Sequence, residues 1–154
     1  MEVPVYSNIR EDIELIETFL WDPEKGAPDI DFHLERMCKS AGNLRFKFEI
    51  RKIRDQVFKI KSEKRLRCRL TLSISGETNL STSILNPNPE AWTLLLSDSI
   101  LSSSDPWLLH KSSNRALYDT ERAKLPDGID EFIYLNERNE VCEGTITNIF
   151  VKKS

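Results

Sequence analysis

Alternating apolar and polar positions define the first element of the chain. Ile13, Leu15, Phe19 and Trp21 fall on every second position and Glu17 shares their face, which predicts a strand with one acid turned toward an otherwise apolar side. Asp22 to Pro28 is rich in proline and glycine and predicts a turn or loop. Leu34, Met37, Cys38, Ala41 and Leu44 then repeat at helical spacing, behind Asp29 or Asp31 as the capping residue. Ile50, Ile53, Val57 and Ile60 predict a second helix. The clearest strand follows, where Leu66, Cys68, Leu70, Leu72 and Ile74 alternate without a break against Arg65, Arg67, Arg69, Thr71 and Ser73. Gly76 predicts a hairpin into a strand over Thr78 to Leu85, Asn86 to Pro89 a loop, and Trp92 to Leu96 another strand.

The Ser-rich run from Ser97 to Asp105 reads as a connector. It divides the chain into an N-terminal α+β domain, residues 1–100, and a second domain, residues 106–154. In the second domain Ser112 or Ser113 can cap a helix running to Leu125, which Pro126-Asp-Gly128 ends. Glu131 to Asn136 and Glu140 to Thr145 predict strands around the turn Glu137 to Glu140, and Asn148 to Lys152 begins a third. The predicted class is α+β.

Composition narrows the function classes. A chain of 154 residues, 39% apolar and 31% charged, has length and apolar content enough for a sizeable core and reads as soluble and globular. Its net charge of −3 gives no general pull toward nucleic acid or an anionic membrane. No apolar run approaches the roughly 18 residues of a membrane span, and Met-Glu-Val-Pro-Val-Tyr has no basic start followed by an apolar stretch. A cytoplasmic setting is expected. Cys38, Cys68 and Cys142 match no zinc spacing and are expected as reduced thiols, with Cys142 as a packing residue. His33 and His110 are too scattered to predict a metal site. The row Arg65, Arg67, Arg69 reads as the solvated face of a sheet.

Two segments carry candidate chemistry. Lys111 follows Trp107, Leu108 and Leu109 directly, so partial burial is expected; burial disfavours the ammonium and lowers the pKa, as an imine-forming lysine requires. Ser112, Ser113 and Asn114 add hydroxyls and N–H groups beside it. Glu143 follows an apolar stretch and precedes Gly144. Held charged inside a pocket, such a carboxylate could favour the protonated form of a heteroaromatic ring; exposed at a turn, it would do nothing of the kind.

At these residues the chain resembles the class IV aminotransferase family, the fold type IV group of pyridoxal-phosphate enzymes. His110 to Asp119 resembles the imine-lysine motif in the form found in 4-amino-4-deoxychorismate lyases, and Asp130 to Val151 resembles the family's most specific signature. Leu15-Ile-Glu-Thr-Phe19 resembles its first strand and Phe32-His-Leu-Glu-Arg-Met37 its "His-Leu-x-Arg-Leu" helix. The resemblance runs in the family's order from Ile13 to Val151. It implies a small N-terminal α/β unit followed by the start of a β-barrel-like cofactor domain. It implies that Lys111 forms the imine with pyridoxal 5'-phosphate and moves a proton at the substrate α-carbon. Glu143 would pair with the pyridine nitrogen, Arg36 would bind the cofactor phosphate, and Arg115 would lie near the phenolic oxygen.

The lyase-like form implies elimination of pyruvate from aminodeoxychorismate to give 4-aminobenzoate. Transamination of a branched-chain or D-amino acid is the alternative within the family. The implied partners are a small amino substrate and a second copy in a homodimer. The family pattern continues with a "leu-thr-pro-pro" segment, a "gly-leu-leu-pro-gly" turn and a later Ser/Thr loop that complete the phosphate cup, and none of these occurs in the 154 residues. A fragment that keeps the fold without a complete cofactor site is therefore the further expectation to weigh.

Overall fold

The computed structural model describes residues 9–153. Its elements are β1 (Glu14–Trp21), α1 (Ile30–Leu44), α2 (Ile50–Phe58), β2 (Leu66–Ser73), β3 (Thr78–Ile84), β4 (Leu94–Leu101), α3 (Ala116–Arg122), β5 (Glu131–Asn136) and β6 (Val141–Gly144). They form two compact units. The first runs to Pro87 and includes Leu109–Asn114; the second comprises Asn88–Leu108 and the chain from Arg115 onward.

In the first unit β1, β2 and β3 form an antiparallel sheet in that order. The β1–β2 pairing runs unbroken from Glu14 opposite Ser73 to Trp21 opposite Leu66. The alternation read along β2 is real, since Leu66, Cys68, Leu70 and Leu72 are all buried. Helix α1 buries Leu34, Met37, Ala41 and Leu44, with Ser40 on the same side. Cys38, expected on that apolar face, is exposed. The buried positions step by three, four and three residues, and Cys38 lies one residue off that stripe. Helix α2 buries Ile53 and Val57. At the β2–β3 turn Gly76 has φ +90, and a Cβ there would stand 2.9 Å from the Lys47 Cβ, so glycine is required twice over.

The lysine segment joins this sheet. Ser112 bridges antiparallel to Leu15. The Ile16 N–H donates to the Lys111 carbonyl at 2.8 Å, and the Ser113 N–H donates to the Glu14 carbonyl at 2.8 Å. The Ser113 hydroxyl accepts from the Glu14 N–H at 2.9 Å. Neither serine caps a helix. Helix α3 begins later than expected, at Ala116, and ends at Arg122, because both serines are committed to β1.

In the second unit β4 and β5 are parallel and β6 is antiparallel to β5. The expected connector Ser97–Asp105 is half strand. β4 continues through Ser97 and Ser99 to Leu101, where Ile100 and Leu101 pair with Leu135 and Asn136 of β5 after a shift in register, and both serine hydroxyls donate to the Glu121 carboxylate. The division expected near residue 100 therefore falls elsewhere: β4 belongs with β5, and Leu109–Asn114 belongs with β1. The expected third strand over 148–152 is not formed among the described residues. Among those residues no helix is long and apolar enough to cross a membrane.

Leu70 is fully buried on β2. Leu70→Ala is expected to cost about 2–5 kcal/mol in urea unfolding. A loss under about 1 kcal/mol would contradict the packing of this face.

Candidate functional site

Glu17 organises the candidate residues of the first unit. It lies on β1 between Leu15 and Phe19 on the buried face and is 1% exposed. A carboxylate there must be paired or neutral. Arg36, on α1, grips it with both prongs: Nε donates to Oε1 at 2.8 Å and Nη2 to Oε2 at 2.6 Å. His33, almost one turn earlier on α1, has Nδ1 2.7 Å from Oε2. Burial by itself would push the Glu17 carboxyl up, but the bonds and charges of Arg36 and His33 outweigh it and hold it below its ordinary value. The Arg36 side chain remains 46% exposed, and its two bonds leave guanidinium donors for an outer anion. The orientation fixed by Glu17 is thus compatible with a phosphate partner.

Lys111 is half-buried, as expected from its apolar neighbours, and its backbone is fixed to Ile16, the residue before Glu17. His110 is buried, with Nδ1 2.9 Å from the Ser40 hydroxyl on α1. Burial lowers its pKa, which favours the neutral ring. Arg36 and Ser40 are four residues apart on α1 and line a groove of about 410 Å³ with Phe32, Lys39 and His110. The first unit therefore gathers Arg36 and the lysine segment around β1 and α1.

The second unit holds Glu143 and Arg115. Glu143 is half-buried near the end of β6, and its Oε1 accepts a 2.6 Å bond from the Tyr118 hydroxyl. Arg115, at the start of α3, lies over the Tyr118 ring at 5.0 Å and donates to the Thr145 carbonyl. Tyr118 therefore links the two expected residues.

Glu131, which no motif singles out, fixes the turn after Glu143. It is fully buried. Its carboxylate accepts from the Thr145 and Ile146 N–H groups at 3.0 and 3.1 Å and from the Thr145 and Thr147 hydroxyls. Arg122 Nη1 lies 3.4 Å from it. Burial pushes the Glu131 carboxyl up, and these donors more than reverse the shift. A Cβ on Gly144 would meet the Glu131 side chain at 3.0 Å and collide with the Thr147 hydroxyl, so the residue after Glu143 must be glycine for this turn to close. The available signal was parity: Glu131 shares a strand face with Ile133, as Glu17 does with Leu15 and Phe19. Cys142, expected to pack, is exposed. Of the arginine row, Arg65 pairs with Asp22 at 3.3 Å and Arg67 is exposed.

The residue types suit pyridoxal phosphate: an amine on a fixed backbone, an arginine oriented by a buried acid, and a carboxylate held by one oxygen. The class IV aminotransferase family description matches residues 14–154. The chain belongs to this family, whose members are pyridoxal-phosphate-dependent enzymes. A candidate amino-acid aminotransferase from Mesorhizobium loti is 34% identical, with TM-score 0.79 over 88% of this chain and 68% of that one. A candidate 4-amino-4-deoxychorismate lyase from Haemophilus somnus is 20% identical, with TM-score 0.62 over 88% of this chain and 69% of that one. A candidate branched-chain amino acid aminotransferase from Thermotoga maritima is 17% identical, with TM-score 0.69 over 86% of this chain and 50% of that one. The last two establish likeness of fold. A search of curated proteins gave no match.

The Glu17 network predicts an acid-side stability profile. Glu17 is more acidic in the folded chain than its ordinary 4.5, so its contribution is complete above that value and is lost as pH falls through the folded pKa. Glu17→Gln should cost about 1–3 kcal/mol at pH 7, less than a fully buried pair would, and should flatten the loss of stability below pH 4.5. An unchanged acid limb in urea unfolding would mean that the pair carries no net stability.

Proposed function

We propose that the chain performs pyridoxal-phosphate chemistry on a small primary-amine substrate, with Lys111 as the proton carrier. The observation that carries this reading is the attachment of the Lys111 backbone to β1, the strand whose Glu17 also orients Arg36. Arg36 would hold the phosphate with its outer donors while Glu17 keeps the guanidinium in place. Glu143 would hold a proton at the ring nitrogen. Bound pyridoxal phosphate supplies an electron-withdrawing ring that makes the substrate carbon acidic. The Lys111 amine would take the proton from the substrate carbon bearing the amino group and return it where the product requires.

The form Lys111-Ser-Ser-Asn-Arg115 favours elimination, with pyruvate leaving aminodeoxychorismate to give 4-aminobenzoate. A second reading, transamination of an amino acid, is supported by the 34% identity to the candidate aminotransferase from Mesorhizobium loti. The fate of the amino group separates them. Elimination releases pyruvate and needs no acceptor, whereas transamination requires a 2-oxo acid and yields its amino counterpart.

Borohydride treatment of the cofactor-loaded chain is expected to fix the cofactor mass on the peptide containing Lys111, and Lys111→Ala should abolish that adduct. A label on another lysine, with Lys111 unmodified, would overturn the reading. Glu143→Gln keeps the side-chain shape and removes the charge; turnover should fall by on the order of tenfold or more, one pKa unit being about 1.4 kcal/mol. Unchanged turnover would show that Glu143 does not serve the ring.

A further inference from the structure

Tyr118 is a residue for which the proposed chemistry has no role, yet it is the side chain bonded to Glu143. Its hydroxyl donates to Oε1 at 2.6 Å. The phenol has little freedom to leave that position. Its ring meets the fully buried Tyr134 ring edge-on, with centroids 5.2 Å apart and planes at 76°. The Arg115 guanidinium covers it at 5.0 Å, and Arg115 is itself anchored on the Thr145 carbonyl. The clamp therefore closes on the turn that Glu131 fixes immediately after Glu143.

A carboxylate has two oxygens, and a side chain at a strand end rotates about its terminal bond unless one oxygen is held. Tyr118 occupies Oε1. We infer that Tyr118 is a positioning residue that locks the Glu143 carboxylate, leaving Oε2 to face a protonated heteroaromatic nitrogen. Burial, together with the bond and charge of Glu143, raises the Tyr118 pKa well above the ordinary tyrosine value, so the phenol remains a donor across neutral pH. Arg115 then acts on the site through Tyr118 as well as through its own charge. The inference rests on the reading of Glu143 as the ring-nitrogen partner.

The test loads wild type, Tyr118→Phe, Glu143→Gln and the double variant with pyridoxal phosphate labelled with ¹⁵N in the ring, and reads the nitrogen shift, cofactor affinity and steady-state kinetics. Phenylalanine keeps the ring packing, and melting curves confirm the fold. Tyr118→Phe should move the ring-nitrogen signal toward the unprotonated position and lower kcat on the order of tenfold with little change in KM, as expected for one lost bond to a charged group. In the Glu143→Gln background the same substitution should change nothing further. A wild-type nitrogen shift in Tyr118→Phe, beside a shifted signal in Glu143→Gln, overturns the inference and leaves the Glu143 reading intact. A Tyr118→Phe effect that persists in the Glu143→Gln background also overturns it. A wild-type signal in Glu143→Gln, or no cofactor uptake by the wild-type chain, defeats the Glu143 reading and the inference with it.

Discussion

The backbone hydrogen bonds that tie the lysine segment to β1 are the constraint on which the arrangement of the first unit's candidate residues depends. β1 pairs along its full length with β2 on one side. On the other it takes Lys111, Ser112 and Ser113 into register through Glu14, Leu15 and Ile16. The next residue of β1 is Glu17, which holds Arg36 by a two-pronged ion pair. The backbone of the expected amine and the guanidinium of the expected phosphate donor are thus referred to consecutive residues of one strand. A strand fixed by ladder bonds positions side chains more exactly than a free loop does, which suits chemistry that depends on small distances.

A buried carboxylate does similar work in each unit. Glu17 orients an arginine on α1, and Glu131 orients the turn after Glu143. In both cases burial disfavours the charge and surrounding donors restore it. Such groups are costly unless every lone pair is met, and a met network has a single low-energy arrangement. Glu17 thus restrains Arg36, and Glu131 restrains the turn that follows Glu143.

The regular elements were largely legible because their periodicity is local. β1, β2, β3, α1, α2 and β5 follow the alternation or helical stripes visible in the residues. The acid on the apolar face of β1 was visible too, although its partners lie 16 and 19 residues away and periodicity cannot name them. The misreadings share one cause. Ser112 and Ser113 have the chemistry of helix caps, and Ser97 to Ser104 that of a linker, but a serine hydroxyl also satisfies itself at a sheet edge or on a distant acid. Pairing with β5 makes the first half of that run strand, and Glu121, 24 residues from Ser97, satisfies its hydroxyls. Lys111, Arg36, Arg115 and Glu143 stood out through family resemblance and not through spacing. Tyr118 did not stand out because its bond to Glu143 spans 25 residues with no periodic signal.

The most direct measurement is a crystal structure of the chain with pyridoxal phosphate bound. The phosphate is expected on the outer donors of Arg36, with the two-pronged bond to Glu17 intact beneath it, and the cofactor joined to Lys111 with the Ile16–Lys111 backbone bond preserved. A bound cofactor with its phosphate away from Arg36, or an Arg36 that has left Glu17 to reach it, would contradict the claim that β1 sets the site before the cofactor arrives.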